Sequence, residues 1–135
     1  MSPTLNTSPT PTLLHRGTGY DPWQHADRLG LQILHRPIRN ATAIWMPNHH
    51  TIVLRSGLGY VRERTALAHG IGHSELGHCD DRCVNEREAD EFAADNLISP
   101  KEFDYATRRS SNLATISQEL RVTRRLLDAY LRWDY

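Results

Sequence analysis

The sequence predicts an α+β fold in which a small three-stranded antiparallel sheet packs beside helices. Between residues 31 and 55 the apolar residues form short runs bounded by Pro37, Pro47 and Asn48, a pattern typical of strands. After Gly59 the apolar residues recur every three or four positions, which is the period of a helix buried on one face. A chain of 135 residues is long enough for one such domain and too short for two ordinary ones.

The first 19 residues differ in composition from the rest of the chain. They are rich in Ser, Thr and Pro and offer too little apolar surface to offset the entropy cost of ordering. We therefore expect a flexible tail at residues 1–19 and a single domain at residues 20–135. No signal-peptide pattern and no apolar run of membrane-span length is evident, so we expect a cytoplasmic protein with no membrane partner.

The predicted elements begin with a short helix in "DPWQHADRLG". Asp21 is suited to cap it, Pro22 to start it and Gly30 to end it. The runs "LQILHRP", "ATAIWMP" and "TIVLR" then predict three strands, which we expect to form an antiparallel meander. The sequence "PNHH" predicts a tight hairpin turn between the second and third strands.

The remaining elements are predicted to be helices. A first helix spans about residues 60–78, with an apolar stripe at Leu67, Ile71 and Leu76. A second lies in "NEREADEFAADNLIS", and Pro100 marks the start of the next segment. One face of the second helix carries Ala89, Phe92, Ala93 and Leu97.

The C-terminal residues 113–135 resemble a helix-turn-helix. They predict a helix, a brief break near residues 121–123 and a final helix. The expected core of this helix pair is Leu120, Val122, Leu126 and Leu127.

Two helical segments carry side chains suited to hold a metal ion. His69 and His73 are four residues apart, so both rings project from one helix face and can reach one zinc ion. The spacing is a weak signal in a chain with 8 histidines. Glu86 and Asp90 are also four apart, so one carboxylate could coordinate the metal while the other orients a ligand histidine. An acidic, solvated helix face is the alternative interpretation, and Glu88 is the second choice of ligand.

These motifs resemble those of the ImmA/IrrE family of zinc metallopeptidases. The segments "LAHGIGHSELGH" and "EREADEFAADNLISP" are similar to the family patterns LAHExGHxxLGH and ExxA[DN]xFAAxLLxP, and the similarity extends over about residues 20–133. The resemblance implies a zincin-like pair of metal-binding helices, with His69, His73 and Glu86 as zinc ligands and Asp90 behind them.

The position of the family's catalytic glutamate is occupied by Gly70. In such a site zinc lowers the pKa of its water to about 7, and the carboxylate after the first histidine takes the water's proton. Glycine cannot do this, and loss of a general base costs on the order of 10² to 10⁴ in rate. Glu75 should point well away from this helix face and Ser74 is not a base, so we expect impaired activity. An inactivating substitution, a natural pseudoenzyme and a fold-level resemblance without activity all remain open.

The resemblance also implies a partner. Members of the family act in phage and mobile-element immunity, so the expected substrate is a helix-turn-helix repressor. The alternative is a non-catalytic, zinc-containing regulator or anti-repressor that binds a partner protein.

DNA binding is a third and less favoured hypothesis. Lys plus Arg and Asp plus Glu both count 16, so no net charge favours nucleic acid. Arg121, Arg124 and Arg125 could contact phosphate, but packing of the terminal helices on the core is the preferred interpretation.

The segment "HCDDRC" could be a small separate zinc site by residue type. It contains His78, Cys79 and Cys83, without an evident fourth ligand. His78 also matches a common family position with an expected packing role. The cysteines are expected to be thiols or metal ligands, because a reducing cytosol disfavours disulfides.

Overall fold

The structure is a computed structural model, and it describes residues 19–79 and 83–134. Its secondary structure begins with helix α1 and a three-stranded sheet and continues with five further helices. In chain order the elements are α1 (Pro22–Arg28), β1 (Gln32–Arg36), β2 (Ala43–Met46), β3 (Thr51–Arg55), α2 (Tyr60–Glu75), α3 (Cys83–Leu97), α4 (Pro100–Arg109), α5 (Leu113–Leu120) and α6 (Arg124–Asp134). The predicted α+β class is confirmed. The predicted tail, apart from Gly19, lies outside the described residues.

Helix α1 begins and ends at the predicted residues. The Asp21 carboxylate accepts hydrogen bonds from the backbone N–H groups of Trp23 at 2.9 Å and Gln24 at 3.2 Å. Gly30 has a φ of 71°, a conformation that glycine adopts without a steric penalty, and it turns the chain into β1.

The sheet is mixed, so the predicted antiparallel meander is wrong. The strand order is β1-β3-β2, with β1 parallel and β2 antiparallel to β3. Strand β3 contains the consecutive apolar residues Ile52, Val53 and Leu54, all buried, whereas β1 and β2 are partly exposed. The most deeply buried strand therefore takes the central position, and the connection at residues 37–42 carries the chain from one edge to the other.

The turn between β2 and β3 has the predicted place. A short 3₁₀ turn at Pro47–His49 and a left-handed His50, with a φ of 52°, reverse the chain. This hairpin leaves β2 at one edge of the described sheet.

Helix α2 lies between two apolar cores. On one side Leu67 and Ile71, both fully buried, pack in the same cluster as Ile52 of the sheet. On the other side Ala68 belongs to a cluster formed with helices α3 to α6. Leu76 follows the end of α2 and is 46% exposed, so the predicted stripe is wrong at its last member and the helix is shorter than predicted.

Helix α3 lies very close to α2. Its apolar face is buried as predicted, with Phe92 half-buried against the sheet-side core. A Cβ atom added at Gly72 of α2 would lie 3.1 Å from the carbonyl oxygen of Ala89 in α3. The glycine therefore allows the close approach of the two helices that carry the candidate metal ligands.

The terminal helices pack on the body of the domain. The break predicted near residues 121–123 separates α5 from α6, and the predicted core residues Leu120, Val122, Leu126 and Leu127 are all buried with α3. The buried Arg64 of α2 donates a hydrogen bond of 2.6 Å to the carbonyl oxygen of Arg121. Among the described helices, none is both long and apolar enough to cross a lipid bilayer.

Candidate metal centre

Helices α2 and α3 bring His69, His73 and Glu86 together. One possible ligand atom from each of the three lies within 4.8 Å of the others. His69 and His73 are one turn apart on α2, and Glu86 lies in the first turn of α3. His73 is buried, while His69 and Glu86 are partly exposed, so the cluster is accessible from the protein surface.

The donor atoms converge at short distances. Nε2 of His69 lies 3.1 Å from Nε2 of His73. The Glu86 carboxylate places Oε1 at 3.0 Å from the former and Oε2 at 2.8 Å from the latter. Zinc with ligands at about 2.0 to 2.1 Å in a tetrahedron separates its donor atoms by roughly 3.3 Å. The donor set and its spacing therefore fit zinc.

Asp90 holds His69 from behind. Its Oδ1 atom lies 2.7 Å from Nδ1 of His69. This is the contact expected of a carboxylate that orients a ligand histidine. Its Oδ2 atom accepts hydrogen bonds from Nε of Arg125 at 3.2 Å and from a terminal nitrogen of that guanidinium at 3.1 Å. The Asp90 carboxylate thus links the candidate ligand His69 to the C-terminal helix α6.

His78 lies behind His73, a contact that the sequence analysis did not predict. The two Nδ1 atoms are 3.0 Å apart, and Nε2 of His78 lies 2.8 Å from Oε1 of Glu88. Glu88, the second choice of ligand, therefore contacts His78 and lies outside the cluster of His69, His73 and Glu86. The spacing from 73 to 78 gave no indication of this, because the contact depends on the chain turning back at Gly77, with a φ of 70°.

The ionisable side chains of the site shift one another's pKa values. Burial disfavours the charged form of His69, but hydrogen bonds to Asp90 and Glu86 outweigh it and raise its pKa to about 9. Burial and the neighbouring His69 charge lower the pKa of His73. The hydrogen bond from His69 lowers the pKa of Glu86. Burial raises the pKa of Asp90, but His69 and Arg125 together outweigh burial and lower it. Two carboxylates are thus kept ionised beside two imidazoles, as a cation site requires.

Gly70 lies on the face of α2 that packs against the sheet. A Cβ atom built at this position would lie 3.0 Å from Cγ2 and 3.1 Å from Cδ1 of Ile52. Ile52 is fully buried in the central strand. A larger side chain at position 70 must therefore displace Ile52 by a few tenths of an ångström before it can extend toward the cluster.

The carboxylates near the cluster already have partners. Glu75 lies 3.2 Å from Nε2 of His25 in α1, which confirms that it points away from the site. Glu88 contacts His78, Asp90 contacts His69 and Arg125, and Glu86 belongs to the cluster itself. Within residues 19–79 and 83–134, none of these carboxylates occupies the place of the expected general base.

A cleft of about 460 Å³ opens on the cluster. His73 and Glu86 line one side of it, and Ile44 and Trp45 of β2 line another. In the described sheet β2 pairs only with β3, so its other edge is available for hydrogen bonding. The cleft can therefore accept an extended peptide segment beside the candidate metal site.

The described residues of the cysteine segment do not form a metal cluster. Cys79 is exposed and lines the cleft, while residues 80–82 and the side chain of Cys83 lie outside the described part of the chain. Nδ1 of the His78 ring contacts His73, and Nε2 contacts Glu88. That side chain is therefore not available to a separate site with the cysteines.

Two of the arginines considered for phosphate contact pair with carboxylates of the chain. Arg124 donates to Asp128 at 3.2 Å, and Arg125 donates to Asp90. Arg121 has a left-handed backbone, with a φ of 59°, and ends helix α5. The side chains of Arg124 and Arg125 thus make contacts within the domain, Arg124 within α6 and Arg125 to α3.

Comparison with known proteins gives one family. The family model Peptidase_M78, described as the IrrE N-terminal-like domain, matches residues 26–132. This range includes the sheet, the helix pair with the metal cluster and the terminal helices. No curated protein matches the sequence.

Proposed function

Because the chain belongs to the Peptidase_M78 family of metallopeptidase-like proteins, we propose that it binds zinc and engages a helix-turn-helix repressor, with peptide cleavage impaired by Gly70. The observation that carries the proposal is the convergence of His69, His73 and Glu86 beside the cleft, without a carboxylate at position 70. The described part of the site thus contains the three candidate ligands, and position 70 supplies no base.

The residues of this chain supply binding and orientation. His69, His73 and Glu86 would hold the ion, and Asp90 fixes the ring of His69. Zinc bound there would polarise a peptide carbonyl and lower the pKa of water to about 7. The free edge of β2 would align an extended segment of the partner along the cleft through backbone hydrogen bonds.

Among the residues that the structure describes, no carboxylate is placed at position 70 for proton transfer. A general base must lie within about 2.6 to 3.2 Å of the proton it removes, or reach it through one water molecule. Gly70 has no side chain, and Glu75 and Glu88 are held by histidines. Loss of a positioned base corresponds to a rate reduction on the order of 10² to 10⁴.

A second function is favoured by the same geometry. A cleft with its ligand set intact and its base missing is suited to hold a partner without cutting it. A zinc-containing regulator or anti-repressor of this kind would bind the repressor through the cleft, and it differs from an impaired peptidase only in what happens after binding.

Repressor cleavage tests the proposal. The candidate substrates are helix-turn-helix repressors encoded in the same genome. Each is incubated with the chain, with Gly70→Glu, and with Gly70→Glu combined with His73→Ala. A further variant, Gly70→Glu with Ile52→Val, removes the Cδ1 atom that would lie 3.1 Å from the new Cβ. Mass spectrometry of the products, with and without chelator, reports cleavage.

We expect a Gly70→Glu variant to cut the repressor in a chelator-sensitive manner, and the unaltered chain to cut it on the order of 10² to 10⁴ more slowly. His73→Ala should abolish the cleavage. Equal cleavage by the unaltered chain would show that Gly70 does not impair catalysis. Binding of the repressor by all Gly70→Glu variants without cleavage would assign the chain to the regulator function instead.

A further inference from the structure

We propose that His78 is a positioning residue, which with Glu88 holds His73 in the tautomer that directs its Nε2 lone pair at the position a zinc ion would take between His69 and Glu86. This inference rests on the proposed zinc binding. It concerns a side chain outside the predicted ligand set, for which the sequence analysis considered a packing role and a separate zinc site with the cysteines.

Hydrogen bonds hold both the backbone and the ring of His78. It is 7% exposed, and its backbone N–H donates to the carbonyl oxygen of His73 at 2.9 Å. Its own carbonyl oxygen accepts a hydrogen bond from the Trp45 indole at 3.1 Å. Its ring lies between Nδ1 of His73, at 3.0 Å, and Oε1 of Glu88, at 2.8 Å. A ring held at both nitrogens and at the backbone has little freedom to serve another partner.

The partners of each nitrogen define the tautomers. An ionised carboxylate only accepts hydrogen bonds, so Nε2 of His78 donates its proton to Glu88. In the neutral ring Nδ1 of His78 is then an acceptor, and the group facing it is Nδ1 of His73. With zinc in place of the proton between Nε2 of His73 and Glu86, Nδ1 of His73 would carry the ring proton and donate it to Nδ1 of His78.

Asp90 positions His69 in the same way, but without an intervening side chain. Its carboxylate accepts directly from Nδ1 of His69 at 2.7 Å, and Nε2 of that ring faces the cluster. Both ligand rings are therefore held from behind at Nδ1, one by a carboxylate and one through an imidazole. The imidazole allows the charge on Glu88, whose side chain is 50% exposed, to stay near water while His73 remains buried.

A matched pair of substitutions separates positioning from packing. Leu and Asn have nearly the same shape, but only Asn can place a hydrogen-bond acceptor where Nδ1 of His78 lies. Zinc dissociation constants, measured by competition with a chromophoric chelator, are compared for the chain, His78→Leu and His78→Asn. We expect His78→Leu to bind zinc roughly 10- to 100-fold more weakly and His78→Asn to recover part of the loss.

A second pair keeps the test independent of any folding defect at the buried position. Glu88 is on the surface of α3, so Glu88→Leu should fold, and we expect it to weaken zinc binding several-fold, on the order of the smaller changes seen for outer partners of metal ligands. Asp95→Leu removes a carboxylate from an exposed residue of the same helix and controls for net charge. Metal-free melting temperatures identify variants that do not fold.

The outcomes are distinct for the two proposals. If His73→Ala weakens zinc binding while His78→Leu and Glu88→Leu match the unaltered chain, His78 only packs and the positioning role is wrong. If His78→Asn is as weak as His78→Leu and Glu88→Leu has no effect, the hydrogen-bond explanation is also overturned. If His73→Ala binds zinc as tightly as the unaltered chain, the proposed zinc site itself fails, and His78 has no ligand to position.

Discussion

Gly70 has two physical roles at the residue scale. It removes the carboxylate that a peptidase of this family would use as a base, and it lets α2 pack against Ile52 of β3 without a Cβ between them. The second role means that position 70 is fitted to its surroundings. A glycine inside a helix costs about 1 kcal/mol relative to alanine, and we expect the overlap that a Cβ atom would make with Ile52 to cost more than that.

Substitution of this glycine by alanine tests that fit. We expect Gly70→Ala to destabilise the metal-free protein, because overlap with the fully buried Ile52 outweighs a gain in helix propensity of about 1 kcal/mol. Ile52→Val removes one overlapping atom, so the same substitution should cost less in that background. Urea unfolding of the four proteins measures the coupling. An equal gain of stability from Gly70→Ala in both backgrounds would show that Ile52 leaves room at this position.

The histidines show how far residue spacing predicts a site. Four-residue spacing places His69 with His73, and Glu86 with Asp90, on one face of a regular helix, and in the structure these four side chains lie together. The contact between His73 and His78 could not be predicted in this way. It forms because the chain leaves the helix and reverses, and helical periodicity does not describe that path.

At the scale of elements, the site depends on the separation of α2 and α3. Gly72 lets the helices approach until a Cβ at that position would meet the backbone of Ala89 at 3.1 Å and the ring of Phe92 at 3.1 Å. Backbone cannot move aside as a side chain end can. The spacing of the ligand atoms, two from α2 and one from α3, is therefore set by a residue that touches none of them.

Gly72→Ala should push the two helices apart and weaken zinc binding. We expect roughly a tenfold loss of affinity, the lower end of the effect seen when support of a metal ligand is removed. Gly59→Ala is the matched control, because an added Cβ at Gly59 has no atom within 4 Å and its φ of −72° suits any residue. Competition with a chelator measures both affinities. Unchanged zinc affinity in Gly72→Ala would mean that the helices tolerate a wider separation.

The sheet was predicted less well than the helices. Its three strands follow from local runs of apolar residues, but their order depends on which strand can be buried on both faces. The run Ile52 to Leu54 takes that place, and the short connection from β1 to β2 gives no local signal that the chain crosses to the opposite edge. Strand existence is a local property of the sequence, whereas strand order is decided by burial in the whole fold.

At the scale of the molecule, helix α2 is shared between two cores. One core joins it to α1 and the sheet, and the other joins it to α3 and the terminal helices. Arg64 and the ion pair between Asp90 and Arg125 connect the terminal helices to the site-bearing pair. The metal cluster is thus supported by elements from both ends of the described chain.

Removal of residues 1–19 should leave stability and zinc content unchanged. The described cores are formed by residues after this segment, and its Ser, Thr and Pro content offers little apolar surface to bury. Thermal unfolding and elemental analysis of the truncated and full chains provide the comparison. A melting temperature several degrees lower after truncation would show that residues 1–19 pack on the domain.

The central claim is that the ligand set is complete despite Gly70, and zinc content tests it most directly. Elemental analysis should find about one zinc per molecule in the chain after excess metal is removed, and little in His73→Ala, because tetrahedral sites of this type need their protein ligands together. His49→Ala, which alters an exposed histidine, should retain the metal. Equal zinc in the chain and in His73→Ala would contradict the site, and a loss found only in Cys79→Ser would assign the metal to the cysteine segment.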